Sequence, residues 1–112
     1  MNISTETTPH ALVAHAAGRL DFNAASTFQK DLEALVTQAH TGQRGLVLNC
    51  LKLEYVSSAG LRGFLIGARA AKTAGVGFVV CNLQAAVQEV FDVSGFSRLI
   101  ACSPSQTAAI EA

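Results

Sequence analysis

The chain has 112 residues, enough for one compact domain with a core and too few for a second. Half of the residues are hydrophobic, 14% are charged and mean hydropathy is +0.35, which excludes a disordered chain. Lys plus Arg and Asp plus Glu stand at 8 each, without a basic stripe, so nucleic acid is not an expected partner.

The opening residues Met1, Asn2, Ile3, Ser4, Thr5 and Glu6 contain no basic segment followed by an apolar one, so no signal peptide is expected. The most apolar stretch, 61–71, is interrupted by Arg62, Gly63, Gly67 and Arg69, and direct membrane insertion is not expected. Cys50, Cys81 and Cys102 are odd in number, widely spaced and set in apolar runs. They read as reduced core residues of a cytoplasmic protein. No CxxC or HxxxH spacing is present, and His10, His15 and His40 are scattered, so neither a metal nor any other cofactor is expected.

Residues 1–10 read as a polar N-terminal tail or edge strand with a turn at Pro9, and 11–112 as the domain proper. Residues 11–17 form a small apolar run closed by Gly18, a strand. Asp21 or Asn23 can cap the helix predicted over 23–39, where Phe28, Leu32, Leu35, Val36 and Ala39 recur at helical spacing. Residues 46–51 read as a strand buried on both faces, followed by a loop over 52–56. Ser57, Ser58, Ala59 and Gly60 lead into a second helix, with Leu61, Phe64, Leu65 and Ala68 expected inward and Arg62, Arg69 and Lys72 outward, ending at Gly75. Residues 76–81 read as a strand, 84–93 as a helix, 98–102 as a short strand and 107–111 as a terminal helix.

Strands alternating with helices predict an α/β fold on a mostly parallel sheet of about four to five strands. Ligands and chemistry gather at the carboxyl ends of such strands, where Asp21, the Ser57 to Gly60 turn and Asn82 are expected to share one rim.

A serine before a helix is first of all an N-cap, its oxygen accepting an orphan backbone N–H. Gly60 and Leu61 occupy the places where Glu or Gln would complete a capping box. A glycine in the first turn costs about 1 kcal/mol against alanine, and close approach of a backbone or ligand is its usual reason. Phosphate on such a serine brings about −1.5 to −2 charges to a helix end that favours anions, and would disrupt a protein interface formed there.

The segment Tyr55-Val56-Ser57-Ser58-Ala59-Gly60-Leu61-Arg62 resembles the phosphorylation motif of the STAS family, named for sulphate transporters and anti-sigma-factor antagonists. Gly18-Arg19-Leu20-Asp21, the strand over 46–51 and Phe91-Asp92-Val93-Ser94-Gly95-Phe96 resemble further family segments in the same order, over about 11–109. The resemblance implies the STAS fold and a bacterial partner-switching phosphoprotein in signalling and transcription regulation, without catalysis of its own. Unphosphorylated, it would bind an anti-sigma factor that is also a serine protein kinase. Phosphorylation would release it, and a PP2C-type phosphatase would restore it. By position Ser58 is the acceptor, ahead of Ser57; Asp21, Ser57, Gly60, Leu61, Arg62 and Asn82 bind the partner or lie near the phosphate. Ser57 and Asn49 stand where the family often has aspartate, which makes the rim less acidic.

A rival reading is a structural STAS subunit of a lipid-transport ABC complex that never receives phosphate. An enzyme is disfavoured, because Ser58 has no histidine base on its rim and no GxxxxGK[ST] phosphate loop exists.

Overall fold

The computed structural model describes residues 1–111, and its elements follow from local signals in the chain. β1 (Asn2–Thr7) pairs antiparallel with β2 (Ala11–Leu20), with Ile3 opposite Ala16 and Thr7 opposite Leu12. Thr8 closes the turn between them: its Oγ1 accepts from the Ala11 N–H at 3.0 Å, and its own N–H donates to the Ala11 carbonyl at 2.8 Å. Pro9 fits such a turn because its ring presets φ.

β2 does not stop at Gly18. It runs on to Leu20 through two register shifts, and Gly18 takes a φ of +101° that a side chain would resist. α1 (Phe22–Thr41) follows, burying Ala25, Phe28, Leu32, Leu35, Val36 and Ala39. β3 (Gly45–Val56) is twice as long as the strand expected over 46–51. The stretch 52–56, expected as a loop, stays paired with β2 as far as Leu20 opposite Val56, and buries Leu53 and Val56.

α2 (Ser58–Ala74) ends at Gly75 in the left-handed conformation. β4 (Phe78–Cys81) is only four residues long. α3 (Ala85–Ser94) is stopped by left-handed Gly95 and followed by a 3₁₀ turn, Phe96–Arg98, whose last residue opens the span expected as a strand. β5 (Ala101–Ser103) and α4 (Gln106–Glu111) complete the chain.

The sheet order is β1-β2-β3-β4-β5, with β2 to β5 parallel and β1 antiparallel. α1, α2 and α3 pack their apolar residues into one large core on one side of the sheet. Phe28, Phe64 and Phe91, one from each helix, stack in series at centroid distances of 4.9 and 5.3 Å. On the opposite side α4 covers part of the sheet, setting Ala109 on Ala11, Val13, Val47 and Cys81.

The inner face of α2 is the expected one at Phe64 and, against the margin of the core, at Leu61 and Ala68, but not at Leu65, and it includes three glycines that were not expected there. Gly60, Gly63, Gly67, Ala71 and Phe64 are buried, while Leu61, Leu65 and Ala68 are half-buried. A Cβ at Gly67 would lie 2.6 Å from Cγ of the fully buried Leu32, and one at Gly63 would lie 3.1 Å from the Phe28 ring. The large side chains of α1 fill the space between the helices, so α2 must be bare there.

Candidate functional site: the paired helix starts

Leu20 and Val56 lie opposite one another at the level ends of β2 and β3, and the chain turns into a helix after each. The Ser57 N–H donates to the Leu20 carbonyl at 2.8 Å, tying the two turns together. Asp21 caps α1, its Oδ1 accepting from the Ala24 N–H at 2.9 Å. Ser57 caps α2, its Oγ accepting from the Gly60 N–H at 3.1 Å. The two adjacent serines therefore have different surroundings. Ser57 is half-buried with its oxygen engaged. Ser58 is the first residue of the helix and exposed, and its hydroxyl makes no hydrogen bond among the described residues.

The Leu61 N–H donates to the Ser57 carbonyl at 2.9 Å, the first bond of the helix ladder. The N–H groups of Ser58 and Ala59 stay without a partner among the described residues, as the open end of a helix requires. An anion attached at Ser58 would meet these donors and the positive end of the dipole.

Gly60 is buried because α2 starts against the end of β2. A Cβ there would lie 2.6 Å from Leu20 Cγ and 3.0 Å from the Leu20 carbonyl oxygen. Its first-turn glycine thus has a packing reason, the close approach of another backbone. Leu61 packs on the main core, while Arg62 is exposed on the same side as Ser58.

Asn82 does not share this rim. Asn49 is opposite Cys81, so Asn82 lies level with Cys50, seven residues short of Ser57 along β3. That separation is roughly 20 Å of extended chain. The cause is the short β4, which ends while β3 continues. Asn82 adopts a left-handed φ of +58° and donates weakly to the Pro104 carbonyl, and its buried Oδ1 has no partner among the described residues. Asn49, expected on the rim, lies inside β3. Its Nδ2 donates to Gln106 and its Oδ1 accepts from the Leu51 N–H, both at 2.9 Å, so it fastens α4 to the sheet.

Phe22 was not among the residues singled out from sequence, yet it is 80% exposed at the first position of α1. It lines a shallow cleft with Ala59 and Arg62, beside the Ser58 turn. The signal was available: Phe22 falls off the stripe defined by Phe28, Leu32 and Leu35.

Cys50 and Cys81 are buried, whereas Cys102 is exposed and not the core residue expected. Burial drives the Cys50 thiol far above its ordinary range and pushes Cys81 up to about 11. Among the described residues no cluster of three or more His, Cys, Asp or Glu side chains could hold a metal ion. No helix among them is long and apolar enough to cross a membrane.

The sequence profile of the STAS domain matches residues 2–109. BtrV of Bordetella bronchiseptica, named as a candidate anti-sigma factor antagonist, is 38% identical over 90 residues, covering 80% of this chain and 77% of BtrV. A Thermotoga maritima protein described in the same terms superposes with a TM-score of 0.85 at 14% identity, covering 97% of this chain and 92% of its own. The anti-sigma factor antagonist SpoIIAA in its unphosphorylated form gives 0.76 at 20% identity, covering 98% and 94%. At these identities the structures share the fold.

Proposed function

The chain belongs to the STAS domain family, and from that premise we propose that it is an anti-sigma-factor antagonist switched by phosphorylation of Ser58. Unphosphorylated, it binds an anti-sigma factor with serine-kinase activity. The kinase moves the phosphoryl group of ATP to Ser58 Oγ, releasing ADP and the hydroxyl proton, and the complex dissociates. A PP2C-type phosphatase hydrolyses the ester and regenerates the binding form.

The observation that carries this reading is the division of labour between the serines: Ser57 caps α2 and leaves Ser58 exposed and unbonded at the head of the helix. Modifying Ser58 would disturb no hydrogen bond of the fold. The open N–H groups and the dipole would favour the added charge by about 0.3–1 kcal/mol at an exposed site. The same charge would be unfavourable inside an interface. The relationship to BtrV supports the antagonist role.

The test is to incubate the protein with ATP and the anti-sigma kinases of its source organism, then locate phosphate by mass spectrometry. Phosphate on Ser58 is expected. No phosphate on Ser57 or Ser58 with any of these kinases would overturn the switch.

A further inference from the structure

α4 is six residues long, well short of the roughly 12 that an isolated helix needs in water. It buries Ala109 alone, with Ile110 half-buried beside it, on Ala11, Val13, Val47 and Cys81. A methyl group removes little apolar area from water, so packing gives α4 a weak hold. Polar side chains supply the rest.

A chain of hydrogen bonds from three neighbouring strands converges on Gln106. The Leu51 N–H donates to Asn49 Oδ1 at 2.9 Å, and Asn49 Nδ2 donates to Gln106 Oε1 at 2.9 Å. Gln106 Nε2 then donates to Glu6 Oε1 at 3.0 Å, an oxygen that His15 Nε2 shares at 3.1 Å. The direction of the chain is fixed at both ends. A backbone N–H can only donate and an ionised carboxylate can only accept, so each amide between them has one permitted orientation. Hydrogen bonds aligned in this way polarise and strengthen one another. The chain starts at an irregularity of the sheet: while β2 advances two residues from His15 to Ala17, β3 advances three from Asn49 to Lys52. Asn49 is also the last residue of β3 paired with β4. Gln106 therefore grips the sheet at the bulge where β3 parts from its neighbour.

We propose that α4 is a latch, which opens as a unit while the main core stays closed, and whose closure through Gln106 and Asn49 holds the β3 bulge in shape. The proposal does not rest on phosphorylation of Ser58. Segments with few buried apolar contacts open at lower free energy than the core, and α4 is such a segment. Open, it bares Ala11, Val13, Val47 and Cys81; the three stacked phenylalanines on the other side of the sheet are untouched.

Two buried thiols report the two sides separately, because Cys81 lies beneath α4 and Cys50 beneath the other helices. Wild type, Gln106→Ala and Gln88→Ala are treated with iodoacetamide under native conditions, and the label at each cysteine is followed by mass spectrometry. Gln88 donates to Asp92 at 2.9 Å on the surface of α3, so its variant is the control for losing one side-chain bond on a helix. Alanine favours helix over glutamine, so faster opening in Gln106→Ala would not arise from a weaker helix. Cys81 is expected to react at least tenfold faster in Gln106→Ala than in wild type, with Cys50 unchanged and Gln88→Ala within twofold of wild type. Deuterium exchange at the Leu51 amide should accelerate at least threefold in Gln106→Ala. Equal Cys81 rates in all three proteins, or equal acceleration in both variants, would overturn the latch. So would parallel acceleration of Cys81 and Cys50, which would mean unfolding of the whole domain. Faster Cys81 labelling with unchanged exchange at Leu51 would support the latch and overturn its hold on the bulge.

Discussion

Ser57 and Ser58 illustrate how one position along a helix start decides what a hydroxyl can do. Ser57 has extended backbone, with ψ of 169°, and its oxygen faces the Gly60 N–H. Ser57→Ala should therefore cost about 0.5–2 kcal/mol, the usual loss of an N-cap, read as a lowered urea midpoint. Ser58→Ala removes a hydroxyl with no partner and should change stability by less than about 0.5 kcal/mol. In binding, the order reverses. Ser58→Asp should weaken capture of the anti-sigma partner while Ser58→Ala retains it, and equal binding by both variants in the same titration would count against Ser58 as the control point. The motif residues were legible from sequence because caps, glycines and turns leave local marks. Position in the motif ranked Ser58 ahead of Ser57, but which of the two caps the helix was not legible, because it depends on where the helix begins relative to the end of β3.

Among the elements, α1 and α2 meet with little spare room. Gly67 faces Leu32 and Gly63 faces Phe28, so the helices approach through bare backbone on one side and large side chains on the other. An alanine inside a helix normally gains about 1 kcal/mol over glycine. At Gly67 the added methyl would overlap the Leu32 side chain, whose immediate surroundings are filled. Overpacking of this kind costs about 1–3 kcal/mol, so Gly67→Ala should be net destabilising despite its better propensity, with a melting temperature lower by several degrees. Periodicity was incomplete at this face for a physical reason. Counting apolar side chains finds Phe64 in the core and Leu61 and Ala68 against it, but it adds Leu65 and misses Gly60, Gly63 and Gly67, which mark the inner face by the absence of side chains. The same bias toward local signals ended β3 too early: Lys52 and Glu54 look like a loop, and only pairing with β2 reveals the strand. The order of elements along the chain and the number of helices, in contrast, followed from alternation of buried runs with amphipathic ones.

For the whole molecule, the three thiols report how unevenly it is sealed. Cys50 and Cys81 lie under the helices and under α4, on opposite faces of the sheet, and Cys102 is on the outer strand. A neutral thiol reagent such as iodoacetamide should label Cys102 alone in the native protein, and all three cysteines after unfolding. The raised thiol values also carry a sign. Thiols of the unfolded chain lose protons near pH 8.5–9, while buried Cys50 and Cys81 hold theirs to higher pH. The folded state thus binds more protons in this window, and stability should fall as pH rises from about 9 to 11. Replacing both by alanine should flatten that alkaline slope in urea titrations, even as it lowers the overall midpoint.

The unequal lengths of β3 and β4 have a mechanical consequence. Beyond Asn49, β3 has β2 on one side and no strand on the other, with the Gln84 side chain donating at 2.7 Å to the Leu51 carbonyl. The turn bearing Ser57 and Ser58 thus stands on a two-stranded post that projects past the rest of the sheet. Backbone amides of 52–56 should exchange with deuterium faster than those of 46–49, where strands flank both sides. A binding partner or an added phosphate would then act on a stretch of sheet paired on one side alone, and its effect would reach the core through Leu53 and Val56.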